Sequence, residues 1–243
     1  RSPPCRPHTN TYLSNMTQHA LLVAHGSPAD PEPQEHTLRV LTDRVAARLP
    51  GWTIRSATLA KIGSLEAALA ALNDPLIYPF FMAEGWFTGR ELPRRLAAAG
   101  KPDLTRLRPF GSDPALVALI AEVVRDTWPP EHPNLLLAAH GSKISRTSRD
   151  TTLAMADALR AHGLGARIEC AFVEEPPFLA EVAQTLTGGT CLPFFALRAG
   201  HVTDDIPEAL ISTGFQGPTL APIGEHEGVA ALVAEALQRA RVS

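Results

Sequence analysis

The sequence predicts an α/β fold built twice: two tandem domains, each a parallel sheet wrapped by helices, with a cleft between the halves. Two observations predict it. The first is an internal repeat. "ALLVAHGS" at 20–27 returns as "LLLAAHGS" at 135–142, and "YPFFMAEGWFTGRELPRRL" at 78–96 returns as "LPFFALRAGHVTDDIPEAL" at 192–210. "PFGSDPALVAL" from Pro109 returns as "PIGEHEGVAAL" from Pro222, in the same order. The period far exceeds the roughly 20–50 residues of a solenoid unit, so a whole domain is duplicated. The second observation is that short apolar runs alternate with amphipathic helical patterns in each copy, which is the pattern of a parallel sheet covered on both faces.

In the first copy, "ALLVAH" is a strand. A helix over 33–49 follows, with Leu38, Leu41, Val45 and Leu49 on one side. "TIRSATL" is the second strand, and "SLEAALAAL" is a helix with Ser64 as its cap. "LIYPFFM" is the third strand, and "RELPRRLAAAG" is a helix stopped by Gly100. "LTRLRPF" is a fourth strand before a helix over 114–127. The second copy places strands at 134–139, 167–173, 190–197 and 218–223, with helices at 148–162, 177–186, 205–213 and 227–241. Each copy is flavodoxin-like or Rossmann-like. Residues 17–126 form the N-terminal domain and 134–243 the C-terminal one, joined by the proline-rich linker 127–133. Residues 1–16 read as a disordered leader, without the apolar segment of a secretory signal.

The chain has 243 residues, 45% hydrophobic and 19% charged, which is ample for a buried core. A net charge of −3 argues against a general nucleic-acid binder. No apolar run reaches the roughly 20 residues that cross a bilayer. The three cysteines, Cys5, Cys170 and Cys191, form no disulfide framework and no CxxC pair. Cys170 and Cys191 read as core thiols, and a cytoplasmic location is expected.

Ligands of open parallel sheets bind beyond the carboxyl ends of the strands, where the strand order switches direction. His25 and His140 follow the first strands of their halves, each before Gly-Ser. After the third strand, the second half has Gly200 and His201, where the first has Trp86 and Phe87. After the second strand, the second half has Glu174 and Glu175, where the first has Ala60 and Lys61. One half thus gathers two imidazoles and carboxylates at one rim, a set suited to a divalent first-row metal or to proton transfer. Several residues keep two readings. Lys143, Arg146 and Arg149 are a solvated helix face or a clamp for an acidic ligand. Ser27 and Ser142 cap a helix or bind an anion. Trp86 and Phe87 suit an apolar wall against a flat ligand. Asp204 and Asp205 fit the positive end of the following helix, and His226 fits the start of another. No GxGxxG or P-loop is present, which disfavours a nucleotide or phosphate-ester enzyme.

"AAHGSK", "AFVEEPPFL", "LPFFALRAGHVTDDIP" and "PIGEHEGV" together resemble the class II tetrapyrrole chelatases of the CbiX and sirohydrochlorin chelatase family, in their long two-half form. The resemblance covers nearly all the chain beyond residue 17. It implies an enzyme that inserts a divalent metal (Co2+, Fe2+ or Ni2+, as substrate) into sirohydrochlorin or a related precorrin, toward cobalamin or sirohaem. No tightly bound cofactor and no macromolecular partner are implied, and the chain is expected as a monomer or homodimer. Carried over, His140 and His201 are the metal-handling pair. Glu174 is their acidic partner, and Glu175 is the alternate. Gly141, Ser142, Lys143, Gly200, Trp86 and Phe87 face the macrocycle. Long members of the family carry the complete pair in the N-terminal half, whereas Phe87 breaks it here. Reversed roles of the halves, a divergent substrate, or a metal or tetrapyrrole carrier without turnover all fit that departure.

Overall fold

The computed structural model describes residues 17–129, 131, 133–165, 167–186 and 188–242. The expected leader 1–16, Cys5 and His132 lie outside the described residues. The first half comprises β1 (Gln18–Ala24), α1 (Glu32–Ala46), β2 (Trp52–Thr58), α2 (Ser64–Ala70), β3 (Leu76–Pro79), α3 (Leu92–Ala98) and α4 (Ala115–Thr127). The second repeats it as β4 (Asn134–Ala139), α5 (Thr147–Ala161), β5 (Arg167–Phe172), α6 (Leu179–Thr185), β6 (Thr190–Pro193), α7 (Ile206–Thr213) and α8 (Val229–Val242). Each half holds a parallel three-stranded sheet, in the orders β2-β1-β3 and β5-β4-β6. This is the duplicated α/β architecture that the repeat predicts.

Alternation along the central strands decides the layers. In β1, Leu21 and Val23 face a cluster made with α2 and α3. Ala20, Leu22 and Ala24 face the opposite way, into a second cluster. In β4, Leu136 and Ala138 face α6 and α7, and Leu135, Leu137 and Ala139 turn to that same second cluster. The second cluster is shared. It joins Leu38 and Val45 of α1 and Ile120 and Val124 of α4 to Met155 and Leu159 of α5 and Val233 and Leu237 of α8. The halves are therefore welded through one core rather than hung on a linker.

Three local expectations change. The fourth strands shrink to single bridges, Ile77 with Arg106 and Cys191 with Thr219, because prolines in both segments limit ladder formation. Ser64 does not cap α2. It is the helix's first residue, with Gly63 as N-cap in the left-handed region, and its hydroxyl donates to the Glu35 carboxylate. The helices after β3 and β6 each begin as a five-residue π turn, Phe87–Glu91 and His201–Asp205. π segments are rare and gather at functional sites.

Both described cysteines are core thiols. Burial pushes the Cys170 thiol up to about 11 and the Cys191 thiol up to about 12. Thiolate is the reacting form, so both are inert while the fold holds. Ellman's reagent at pH 8, with peptide mapping, is expected to leave Cys170 and Cys191 unmodified in the native protein and to label both in denaturant.

Candidate functional site

With β1 and β4 central in their sheets, chain direction switches between β1 and β3 and between β4 and β6. His140 follows β4 and His201 follows the β6 loop, so the topology brings both to one crevice. Their ring centroids are 4.5 Å apart and the rings are nearly perpendicular, at 87°. The backbone between β4 and α5 turns sharply at Gly141, whose φ is +73°. A Cβ there would sit 2.9 Å from Phe172 Cβ and 2.9 Å from Glu175 Cγ, so the turn needs glycine on both counts.

The hydrogen bonds assign the tautomers. His140 Nδ1 lies 2.8 Å from the Gly141 carbonyl oxygen. A carbonyl only accepts, so Nδ1 carries a proton, and in the neutral ring Nε2 keeps its lone pair. His201 Nδ1 donates in the same way to Asp205 Oδ2 at 2.5 Å. Both rings thus have Nε2 as the available base, which is the arrangement of a metal-binding histidine oriented from behind by an oxygen. Asp205 joins the histidine pair through this contact, whereas sequence reasoning assigned it to the helix dipole. Its His-x3-Asp spacing is the signal, because the π turn places residues 201 and 205 in contact.

The carboxylates depart from expectation. Among the described residues, no group of three or more His, Cys, Asp or Glu side chains is placed to hold a metal ion. Glu174 does not join the histidine pair as a third ligand. Its carboxylate pairs with Lys143 at 3.3 Å, on the rim. Glu175 lies beneath the turn, where it accepts from the Ser142 amide at 3.0 Å and pairs with Arg149 at 3.7 Å. That amide is therefore not open to a ligand. The Ser142 hydroxyl caps its own loop by accepting from the amides of Ile144 and Ser145. Lys143, whose side chain is 75% exposed, stays at the surface in its pair with Glu174. Arg149 holds Glu175 and the Pro176 carbonyl rather than facing outward.

The first half shows what divergence did to the same positions. Phe87 stands where His201 stands, and its ring lies on His25 with centroids 4.0 Å apart. Trp86 packs edge-on against Phe87 and is 61% exposed. Glu91 stands where Asp205 stands, and its carboxylate accepts from Arg94 instead of an imidazole, which holds it below the usual carboxylate range. His25 is held below the ordinary histidine value, first by partial burial and second by the His140 charge. The two histidines of the repeated "HGS" turns thus sense one another across the halves.

A family model for CbiX matches residues 19–127 and matches again over residues 134–240. The chain belongs to the CbiX family. Among solved structures, it is 45% identical to CbiX described as the terminal enzyme for biosynthesis of siroheme in denitrifying bacteria. The TM-score is 0.78, over 92% of this chain and 99% of that one. SirB from Bacillus subtilis with Fe3+ shares the fold at TM-score 0.74 and 16% identity, over 93% of this chain and 95% of that one. The sirohydrochlorin chelatase SirB from Bacillus subtilis subspecies spizizenii, in complex with cobalt, does so at 0.68 and 16%, over 92% and 95%. No curated protein matches. Both copies of the CbiX pattern are therefore present in this chain, with the two-histidine version in the second.

Two outcomes are expected of this geometry. Asp205→Asn is expected to shift the His201 imidazole signals by NMR, because it removes the carboxylate that accepts from Nδ1. His25 is expected to titrate below the ordinary value of about 6.5 by NMR. His140→Ala is expected to move that midpoint upward without restoring it fully, because burial is the larger cause. The folded state binds fewer protons at His25 than the unfolded chain does, so this contribution is lost as pH falls from about 6.5 toward the folded midpoint.

Proposed function

We propose that this CbiX-family chain is a chelatase that inserts a divalent first-row metal, Fe2+ or Co2+, into sirohydrochlorin or a related precorrin-type ring. The observation that carries the reading is the His140–His201 pair: rings 4.5 Å apart, each with Nδ1 engaged and Nε2 open. The 45% identity to a siroheme-biosynthesis CbiX supports siroheme formation, and the SirB structures with Fe3+ and cobalt are of proteins of the same fold that hold first-row metal ions. The two family matches support a division into an N-terminal and a C-terminal domain around residues 127–133.

Insertion exchanges one M2+ for two pyrrole N–H protons. A neutral imidazole suits both halves of that exchange. Its Nε2 lone pair ligates the incoming ion and, once the ion has moved to the ring, the same lone pair accepts a proton. Holding ion and ring together turns a three-body encounter into a local step. Glu174 on the rim lowers the cost of bringing a hydrated cation close, and Lys143 beside it meets a carboxylate arm of the ring. The exposed Trp86 and half-buried Phe87, edge-on to one another, offer an apolar patch to a macrocycle. Ligation needs uncharged imidazole, so insertion slows on acidification.

The test follows the absorption change of sirohydrochlorin with Co2+ or Fe2+, against a protein-free control. The wild type is expected to accelerate insertion, and His140→Ala and His201→Ala each to lose about 100-fold or more of that acceleration. Stoichiometric binding of ion or ring with the protein-free rate overturns the enzyme and leaves a carrier. Full activity in His201→Ala overturns the site.

A further inference from the structure

We propose that Gln34, in the half without the histidine pair, is a positioning residue for His201 in the other half. Gln34 lies on α1 and is only 8% exposed. Its Nε2 donates to the Arg198 carbonyl at 2.8 Å, three residues before His201. That carbonyl can only accept, so the amide orientation is fixed by chemistry. The contact crosses between the halves and enters the loop that carries the metal-handling ring. It sits in the wall of a cavity of about 720 Å³ that Gln34 and Arg198 share with Gly200 and Thr203 of the His201 turn.

The rest of that loop is pinned from its own half. The Gly224 amide donates to the Phe195 carbonyl at 3.0 Å, and the Arg198 guanidinium donates to Glu225 at 2.9 and 3.3 Å. A Cβ on Gly224 would lie 1.9 Å from the Ala196 oxygen, so the approach is as close as backbone allows. Gln34 supplies the tie from the opposite side. The first half has the matching Gly111 amide on the Phe81 carbonyl, at 3.0 Å. Among the described residues it has no matching tie across the halves. Arg149 stands on α5 where Gln34 stands on α1, and it holds the Pro176 carbonyl of its own half at 2.7 Å. Only the loop that ends in a histidine is held from both sides. The half that lost His201's counterpart has therefore kept a task, which is to set the register of the surviving pair. A misplacement on the order of 1 Å at a reacting group can cost about 100-fold in rate, so one such tie is enough to matter.

The inference rests on the chelatase reading for its activity arm and on ring chemistry alone for its second arm. Gln34→Glu is nearly isosteric but, as a carboxylate, cannot donate to the Arg198 carbonyl, and Gln34→Met has similar length with no donor in any protonation state. Both are expected to lower kcat for metal insertion about 10-fold, with KM for sirohydrochlorin within about twofold. In a His201→Ala background neither is expected to lower it further, because the tie acts through that ring. In the metal-free protein, both are expected to shift the His201 imidazole NMR signals and leave those of His162 unmoved. An equal fold-loss with and without His201, or unshifted His201 signals, overturns the positioning role. A wild type without insertion activity overturns the proposed function instead, and the NMR arm still decides the tie.

Discussion

A three-stranded parallel sheet has two apolar faces and must hide both. Each half of this chain covers one face with its own short helices, α2 and α3 or α6 and α7. The other face is closed by a layer of four longer helices drawn from both halves, α1 and α4 with α5 and α8. That shared burial is the constraint from which the rest follows. It fixes the distance and angle between the sheets, and so the placement of their carboxyl ends. The buried Asp113 carboxylate pairs at 3.6 Å with the exposed Arg239 of α8, a polar fastening between the halves. Its single charge pair is small beside the apolar area that the four helices remove from water.

On that frame, duplication and divergence can be read position by position. The backbone devices are kept in both copies: the left-handed glycine after the first strand, the π turn after the third, and the close glycine approach before the last helix. These are steric requirements of the turn, so neither copy is free to change them. The chemistry is not kept. His201 with Asp205 faces Phe87 with Glu91, and Glu175 under its turn faces Lys61, which pairs with Glu32.

Most of the fold was legible because buried strands and helices write strong periodic patterns. "ALLVAH" and "LLLAAH" could only be central strands, and the helices named from Leu38, Leu41 and Val45 stand where expected. The fourth strands were overread. "LTRLRPF" has the composition of a strand, but one bridge is all that its proline and exposed arginines leave it. Within the site, His140 and His201 were legible from the repeat, since a position filled by Phe87 in one copy does not need an imidazole for folding. The acids were harder. Which of Glu174 and Glu175 turns inward depends on packing under Gly141, a contact between residues over thirty positions apart. Asp205 was hidden by its place ahead of a helix, where an aspartate has a ready electrostatic reason to be. Gln34 left no trace at all, because its partner is a carbonyl and every residue has one.

The shared core also has a consequence for synthesis. As the chain leaves the ribosome, β1, α1 and α4 appear long before α5 and α8, which complete their burial. Until then Leu38, Val45, Ile120 and Val124 have no cover from the second half. A first half without α5 and α8 would leave that apolar face open to solvent, the kind of surface that chaperones cover and that aggregates when crowded. Duplication made the fold symmetric, but translation is not. The half that is made first waits for the half that holds both ring nitrogens.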